Sequence, residues 1–310
     1  MNHLEKYIDD EDMVEVLYKT ILKRNSDEGG LKSHAHRISN LPRKDALDLL
    51  ITGLLNSEEY KKNTQNSHGS LYLKSIVNNE VLDKKITINH VISLGTHCYT
   101  SQLLKKANLK NYSCPFDWIF SSPSMVAHVI EDDFNKFLDR SFFKKIPYEN
   151  LIVSEAKTYP TSNEFYLNNF SVKNVFNHHD MQSEDHYNYF VRGVMRFRKL
   201  LLSSESVMFV ICARHSDDAL AKFSNLKKSI LKRKNNSVYL RYISIEQTNN
   251  ILPECVILDN TLMNFELIHY KSSSKWRDLD FESFIDDMSI LKIISQGVKF
   301  ELKEIEQLAC

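Results

Sequence analysis

Cys98 is the residue of this 310-residue chain with the clearest capacity for chemistry, and it lies in the segment SLGTHCYT at residues 93–100. The apolar run at residues 91–94 predicts a short strand, Gly95 permits a tight turn, and a helix is predicted from Tyr99 to Ala107. A helix N-terminus stabilises a thiolate, and ligand crevices form at the carboxyl ends of parallel strands. The segment therefore predicts a reactive thiol, with a buried structural thiol as the alternative.

A candidate carboxylate follows in the segment CPFDW at residues 114–118. Asp117 stands between two large aromatic side chains in a turn that contains a proline, so we expect it to be partly desolvated and rigidly held. Such a carboxylate suits the orientation of a catalytic histidine, and Trp118 beside it is a candidate substrate contact. The alternative is an aspartate that only caps the backbone of its own turn.

Two adjacent histidines form a third candidate group, in the segment NHHD at residues 177–180. His179 is a natural base for a cysteine nucleophile, and a nearby carboxylate such as Asp180 would fix its tautomer. Two neighbouring loop histidines cannot easily face one point, so we expect one of them to be structural and keep His178 as a candidate substrate contact. The alternative is a pair of exposed loop histidines.

Basic side chains could bind an anionic group of a substrate. Arg192 and Arg196 share one stripe of a helix predicted over residues 183–202, which favours either an anion-binding wall or a solvated helix face. Arg214 and His215 follow a predicted strand, so they should project into the same crevice as the cysteine. An arginine there could bind a carboxylate or phosphate through two hydrogen bonds. His97, next to the cysteine, is a further candidate substrate contact.

The elements that must position these residues are predicted from hydrophobic periodicity. Residues 1–65 are typical of a small helical module, in which the glycines at 29–30 end the first helix. Residues 66–85 are predicted as a linker. Residues 86–310 alternate strands with helices and close with a helix that begins at Asp280, a pattern typical of an α/β domain. We therefore predict a largely parallel, Rossmann-like sheet with helices on both faces, preceded by the all-α module.

Composition narrows the classes of protein. Forty basic and forty acidic residues cancel, so the totals lack the basic excess of a nucleic-acid binder, and we expect no nucleic-acid partner. We expect no membrane span and no signal peptide, since no apolar run is long enough. Five widely spaced cysteines without zinc-ligand spacing indicate reduced thiols, a cytoplasmic location and no metal. No glycine-rich phosphate motif occurs, so no cofactor is expected.

Residues 88–295 resemble a bacterial family described as papain-like cysteine peptidases. The resemblance rests on the Leu94-Gly95-x-x-Cys98 turn, the segment PFDW at 115–118, the pair His179-Asp180, the helix with Arg192 and Arg196, and the strand that leads to Arg214. It implies Cys98 as nucleophile and His179 as its base, with Asp117 or Asp180 orienting that base. A papain-like fold would place the cysteine on a long helix against an antiparallel, barrel-like sheet. The alternation of strands and helices predicts a parallel sheet instead.

The first sixty residues resemble a short helical domain of unknown function that occurs in bacterial surface-polysaccharide and glycosyltransferase proteins. The resemblance runs from Leu17 and Tyr18 through Arg24, Asp27 and Gly30 to the segment SEEY at residues 57–60. It implies attachment or interaction, so a protein partner could bind through this module. The alternative is a generic helical cap on the main domain.

Three functions follow from these residues. The first is a cysteine-dependent hydrolase or acyl transferase with a Cys-His-Asp site, acting on a small-molecule, peptide or glycan substrate. The second is a transferase of surface-polysaccharide assembly, in which the same crevice binds the phosphate of an activated sugar and the cysteine only lines it. The third is a non-catalytic module, in which His97, Cys98, His179 and Asp180 pack together or bind a metal ion.

Overall fold

The computed structural model describes residues 9–22, 24–60, 86–146, 160–248, 250, 253–262, 264–277 and 279–305. The first part is helical, with α1 (Asp10–Leu17) running into a π-helical turn (Tyr18–Leu22), then α2 (Glu28–Ile38) and α3 (Arg43–Leu55). Asp27 caps α2 by accepting the backbone N–H of Gly30 at 2.8 Å. The prediction that the glycines end the preceding helix is therefore wrong, because this cap places them in the first turn of α2.

The main sheet has five strands, in the order β2 (His90–Ser93), β5 (Val207–Arg214), β6 (Val238–Gln247), β8 (Phe265–Ser272) and β7 (Glu254–Leu262). The first four of these strands are parallel, and β7 pairs antiparallel with β8 at the edge. This confirms the predicted largely parallel sheet. The strands are β1 (Ile86–Ile88), β2 (His90–Ser93), β3 (Phe143–Lys145), β4 (Thr161–Asn163), β5 (Val207–Arg214), β6 (Val238–Gln247), β7 (Glu254–Leu262), β8 (Phe265–Ser272), β9 (Trp276–Arg277), β10 (Asp280–Phe281) and β11 (Val298–Phe300).

Helices cover both faces of this sheet. On one face, Phe209 of the sheet packs with Phe197 and Phe223. On the other face, Val210 packs with Leu103 and Ile290. The alternation follows from the period of two in a strand, which buries both sets of side chains when both faces are covered. The helices are α4 (Cys98–Lys106), α5 (Pro123–Glu131), α6 (Asn135–Leu138), α7 (Glu164–Phe170), α8 (Glu184–Leu202), α9 (Ala219–Arg233) and α10 (Phe284–Ser295).

The closing helix begins later than the sequence predicts. Asp280 and Phe281 form strand β10 against β9, and α10 starts at Phe284 after Ser283, whose hydroxyl accepts the N–H of Ile285 at 3.3 Å. The prediction of a helix start at Asp280 is therefore wrong. The serine supplies the side-chain cap that α10 uses.

The N-terminal helices pack against α10. The rings of Tyr60 and Phe284 lie 6.0 Å apart, and the Asn56 side-chain amide donates to the Ser283 hydroxyl at 3.4 Å. Apolar side chains of α10, such as Met288, pack against the core of the helical part. The division into a module at 1–65 and a domain at 86–310 remains a prediction, and the predicted linker at 66–85 lies outside the described residues.

Candidate functional site

Cys98 is the first residue of α4, and β2 ends five residues before it. The turn between them requires a glycine at position 95, where φ is +89° and a Cβ atom would lie 2.5 Å from the Ser121 hydroxyl oxygen. Cys98 itself is 4% exposed. The strand, turn and helix that the sequence predicts around the cysteine are therefore present, with the helix beginning one residue earlier than predicted.

Hydrogen bonds hold the turn against β5. The N–H of Thr96 donates to the Cys212 carbonyl at 3.0 Å, and the N–H of Cys212 donates to the Gly95 carbonyl at 3.1 Å. The hydroxyl of Thr100, in the first turn of α4, donates to the same Gly95 carbonyl at 2.7 Å. Each of these groups is buried, so the start of α4 is fixed relative to the carboxyl end of the sheet.

Three segments singled out in the sequence lie side by side. The N–H of Ser121, just beyond the CPFDW turn, donates to the Thr96 carbonyl at 2.9 Å. The N–H of Phe120 donates to the Val175 carbonyl at 2.9 Å, four residues before His179. These hydrogen bonds join the backbones of the three segments at residues 96, 120, 121 and 175.

His97 contacts the Thr96 hydroxyl and two aromatic rings. The Thr96 hydroxyl donates to the Cys212 carbonyl at 3.1 Å and also lies 2.9 Å from His97 Nδ1. The ring also contacts Phe120 at 5.5 Å and Trp276 at 5.2 Å between centroids.

Arg214 lies at the carboxyl end of β5, with its guanidinium carbon 5.4 Å from the centre of the Trp276 ring. The same indole contacts His97, so the arginine and the histidine share one aromatic neighbour. Arg214 is exposed, and the indole N–H of Trp276 is buried without an acceptor among the described residues. This side of the turn thus offers a cation and an unused donor. Trp276 was not singled out in the sequence, because its contacts depend on the short hairpin that carries it.

Asp117 is buried and ion-paired to Lys110. It also accepts the backbone N–H of Cys114 at 2.7 Å, which closes the CPFDW turn. Burial raises the pKa of the Asp117 carboxyl, while the Lys110 charge and these hydrogen bonds lower it. These contacts are those of a carboxylate that caps its own turn, which is the alternative considered for Asp117 in the sequence. Trp118, the next residue, is half-buried.

His179 lies among aromatic rings. Its ring stacks on Tyr189 at 5.4 Å and meets Phe190 edge-on at 4.9 Å. Burial, followed by the charges of His186 and His178, lowers the pKa of His179 to about 4. The imidazole is therefore neutral at pH 7, as a general base must be. His178 is exposed on the same loop.

Asp180 makes polar contacts that differ from those predicted. Its carboxylate accepts the N–H of Gln182 at 3.0 Å and lies 3.2 Å from the Lys145 ammonium. The backbone N–H of Asp180 donates to His186 Nδ1 at 2.9 Å. Its described partners are thus a lysine, a local backbone group and a different histidine.

The basic residues of α8 occupy different environments. A guanidinium nitrogen of Arg196 donates to the Ser113 carbonyl at 2.9 Å, so it holds the start of the CPFDW turn. Gly193 of α8 packs against this turn, and a Cβ atom there would lie 3.4 Å from Pro115 N, an ordinary contact distance. Arg192 is exposed.

His215 lies on the other face of the sheet from Arg214, because successive residues of a strand alternate. Its Nδ1 lies 3.0 Å from the Ser244 hydroxyl, and its ring stacks on His269 at 4.2 Å. His269 Nε2 in turn lies 2.8 Å from a carboxylate oxygen of Glu246. His269 and Glu246 were missed in the sequence because they lie on separate strands with no local motif.

The other described cysteines provide a comparison for Cys98. Burial raises the pKa of the Cys212 thiol to about 12 and raises the pKa of the Cys114 thiol strongly. Cys255 is exposed on β7. Two thiols are therefore held in the protonated form, and one is accessible on the surface.

The chain belongs to the family whose model is named "Putative papain-like cysteine peptidase (DUF1796)", which matches residues 89–249, just over half of the chain. Residues 1–64 match the model named "Domain of unknown function (DUF4214)". Both families and their order along the chain confirm the resemblances predicted from the sequence. No curated protein and no solved structure matches this chain. Among the described helices, none combines the length and apolar character needed to cross a membrane.

Proposed function

We propose that this protein is a cysteine-dependent hydrolase or acyl transferase in which Cys98 is the nucleophile. The observation that carries the proposal is the position of Cys98 as the first residue of α4 at the carboxyl end of β2. The first N–H groups of a helix lack acceptors within the helix and form its positive end. They favour a thiolate at this position and could stabilise an oxyanion formed beside it.

The proposed reaction has two steps. Cys98 Sγ bonds to the carbonyl carbon of an ester or amide, its proton passes to a histidine, and the leaving oxygen or nitrogen takes that proton as its bond to carbon breaks. Water, or an acceptor hydroxyl or amine, then attacks the thioester and releases the acyl group, which regenerates the thiol. Hydrolysis and transfer differ only in the acceptor.

Two histidines are candidates for the base. His97 is favoured by its position, because it directly precedes Cys98 and its ring contacts Trp276, over which the Arg214 guanidinium lies. His179 is the base implied by the family resemblance, and its lowered pKa of about 4 supports a neutral ring over a wide pH range. We propose His97 as the base, with Asp117 acting as a positioning residue through the turn that it caps.

Acylation of the protein by p-nitrophenyl acetate tests this function directly. We expect one acetyl group per chain, which peptide mapping places on Cys98, and release of p-nitrophenolate that is lost in Cys98→Ser. Cys255→Ser is the matched control, since it removes an exposed thiol and should leave the reaction unchanged. Acetylation confined to Cys255, or an unchanged rate in Cys98→Ser, would contradict the proposal.

An activated-sugar transferase is the second candidate. The observation that favours it is the exposed Arg214 guanidinium beside Trp276, a pair suited to a phosphate and a flat base or sugar ring. In that reaction Cys98 would line the crevice without reacting. The N-terminal module, which packs on α10, would in either case offer a surface for a protein partner, and we propose the boundaries 1–65 and 86–310 for the two parts.

A further inference from the structure

Three side chains of types that commonly ligate metal ions lie close together at the carboxyl end of the sheet. His215 follows β5, Glu246 lies near the end of β6, and His269 lies in β8. One donor atom from each, a ring nitrogen or a carboxylate oxygen, lies within 4.8 Å of the other two. We propose that His215, Glu246 and His269 bind a first-row divalent transition-metal ion such as Zn²⁺.

The three residues share one face because of the strand register. Arg214 of β5 pairs with Ile245 of β6, which pairs with Tyr270 of β8. The proposed ligands His215, Glu246 and His269 are each adjacent in the chain to one of these residues. They therefore all point to the opposite face of the sheet. The N–H of His215 donates to the Ile245 carbonyl at 2.7 Å, which extends the hydrogen-bond ladder between β5 and β6 by one residue. The proposed site is therefore built on neighbouring parallel strands.

The separations are close to those of a metal site. His269 Nε2 lies 2.8 Å from the nearer Glu246 oxygen, and two ligands at the tetrahedral angle on an ion with bonds of about 2.1 Å lie about 3.4 Å apart. The His215 and His269 rings are stacked with 14° between their planes, so one ring must rotate out of the stack before both in-plane lone pairs reach one ion. Two imidazoles and one carboxylate form a donor set typical of zinc and iron(II) sites.

A second contact orients the first histidine. The Ser244 hydroxyl is fully buried and lies 3.0 Å from His215 Nδ1. If Nδ1–H donates to this oxygen, the Nε2 lone pair of His215 is available to an ion. Hydrogen bonds of this kind on the non-ligating nitrogen fix the tautomer of metal-bound histidines.

The proposed site is accessible and differs from the Cys98 region. The Glu246 side chain is 43% exposed and the His269 side chain is 17% exposed, so an ion and its water ligands could enter from solvent. Lys271, the neighbour of Glu246 across the strands, lies 3.9 Å from Glu254, which offsets its positive charge. Three protein donors leave coordination positions open, so the ion would bind a water or an oxygen of an anionic ligand.

Cobalt(II) binding to the full-length, metal-stripped protein tests the proposal. We expect one Co²⁺ per chain, with d–d absorption and no thiolate-to-cobalt charge-transfer band. Glu246→Gln and His269→Gln should each weaken binding at least tenfold, and Ser244→Ala should weaken it by about tenfold. His178→Gln and Cys98→Ser are the controls, and neither should change the affinity.

The controls separate this site from the alternatives. A charge-transfer band, or loss of binding in Cys98→Ser, would place the ion at a thiol and overturn the proposal. Binding that is unchanged in both Glu246→Gln and His269→Gln, or absent from the unmodified protein at millimolar Co²⁺, would also overturn it. Near-ultraviolet circular dichroism without metal shows whether each variant is folded. Should one ligand variant be unfolded, the other and His215→Gln decide the outcome.

Discussion

Tyr99, the residue that follows Cys98, donates its phenolic hydroxyl to the carboxylate of Asp287 at 2.9 Å. Both side chains are buried, and they join the first turn of α4 to α10. Burial raises the pKa of Asp287 to about 7, an effect that the charge of Lys106 opposes. The helix that receives the N-terminal module therefore also contacts the residue beside the proposed nucleophile.

The Asp287→Asn variant should lose part of the pH dependence of stability. The folded-state pKa of about 7 lies above the ordinary 3.8, so Asp287 favours folding below the ordinary value and loses this contribution as the pH rises through 7. At pH 8 the penalty of ionising the buried group is about 4 kcal/mol. We expect the melting temperature of the unmodified protein to fall between pH 5 and 8, and that of Asp287→Asn to change less. Asp217→Asn, at an exposed site, should keep the original slope. Equal slopes in all three proteins would show that Asp287 ionises normally.

Cys98 shows how far the sequence could predict the candidate site. A strand, a glycine turn and a helix are local features, so the position of Cys98 at the start of a helix was predictable from spacing. The partners of Asp117 were not, because Lys110 is a charged residue of no evident motif and its burial depends on packing. Trp276 likewise reaches His97 only through the tertiary fold.

The main sheet also combines features that the sequence predicts with features that depend on the tertiary fold. Alternating strands and helices predicted the parallel order, since parallel strands require crossover helices. The antiparallel β7 was not predicted, because a short apolar run does not specify its pairing direction. The meeting of His215 with His269 depends on the register of β6 between their strands, which a single sequence does not encode locally.

Removing Lys110 should destabilise the protein strongly. The Lys110 side chain is 8% exposed and that of Asp117 is 1% exposed, so Lys110→Met leaves a buried, unpaired carboxylate. Loss of one partner of a buried ion pair costs about 3–5 kcal/mol. We expect urea unfolding to show that the free energy of unfolding falls by this amount in Lys110→Met and by less in Lys110→Met/Asp117→Asn. Lys105→Met, at an exposed position of α4, should change stability little. Additive losses in the double variant would argue against a coupled pair.

His179→Gln should make the protein more resistant to acid. The folded-state pKa of about 4 lies below the ordinary 6.5, so the neutral ring contributes stability above pH 6.5 that is lost as the pH falls through 4. The free energy of unfolding, measured at equilibrium between pH 7 and 4, should therefore fall less steeply in His179→Gln than in the unmodified protein. His36→Gln removes an exposed imidazole from α2, which is not among the groups that lower the pKa of His179, and should leave the curve unchanged. A steeper decline in His179→Gln would mean that the ring is stabilised in its charged form.

Thr96 should act as a positioning residue for His97. Thr96→Val removes the hydroxyl that lies 2.9 Å from His97 Nδ1, so the imidazole loses the polar contact that orients it. We expect the acylation rate of Cys98 by p-nitrophenyl acetate to fall and its pH profile to shift, because general-base catalysis contributes about 10²–10⁴-fold in rate. Thr96→Ser keeps the hydroxyl and should restore the profile. A rate that is unaffected in Thr96→Val and in His97→Gln, but lost in His179→Gln, would assign the base to His179 instead.

Arg214 should determine the binding of anionic ligands whichever function holds. Its guanidinium is exposed at the carboxyl end of β5 and lies over Trp276, so a carboxylate or phosphate could pair with it while a ring of the ligand stacks nearby. If the protein is the sugar transferase, nucleotide sugars should raise the melting temperature of the unmodified protein and of Cys98→Ala, and should have no effect on Arg214→Met. Arg192→Met removes an exposed arginine from α8 and serves as the control. Stabilisation that persists in Arg214→Met and disappears in Arg192→Met would move the anion site to α8. Absence of any shift with nucleotide sugars, together with slower acylation of Arg214→Met by a carboxylate-bearing ester, would favour the hydrolase over the sugar transferase.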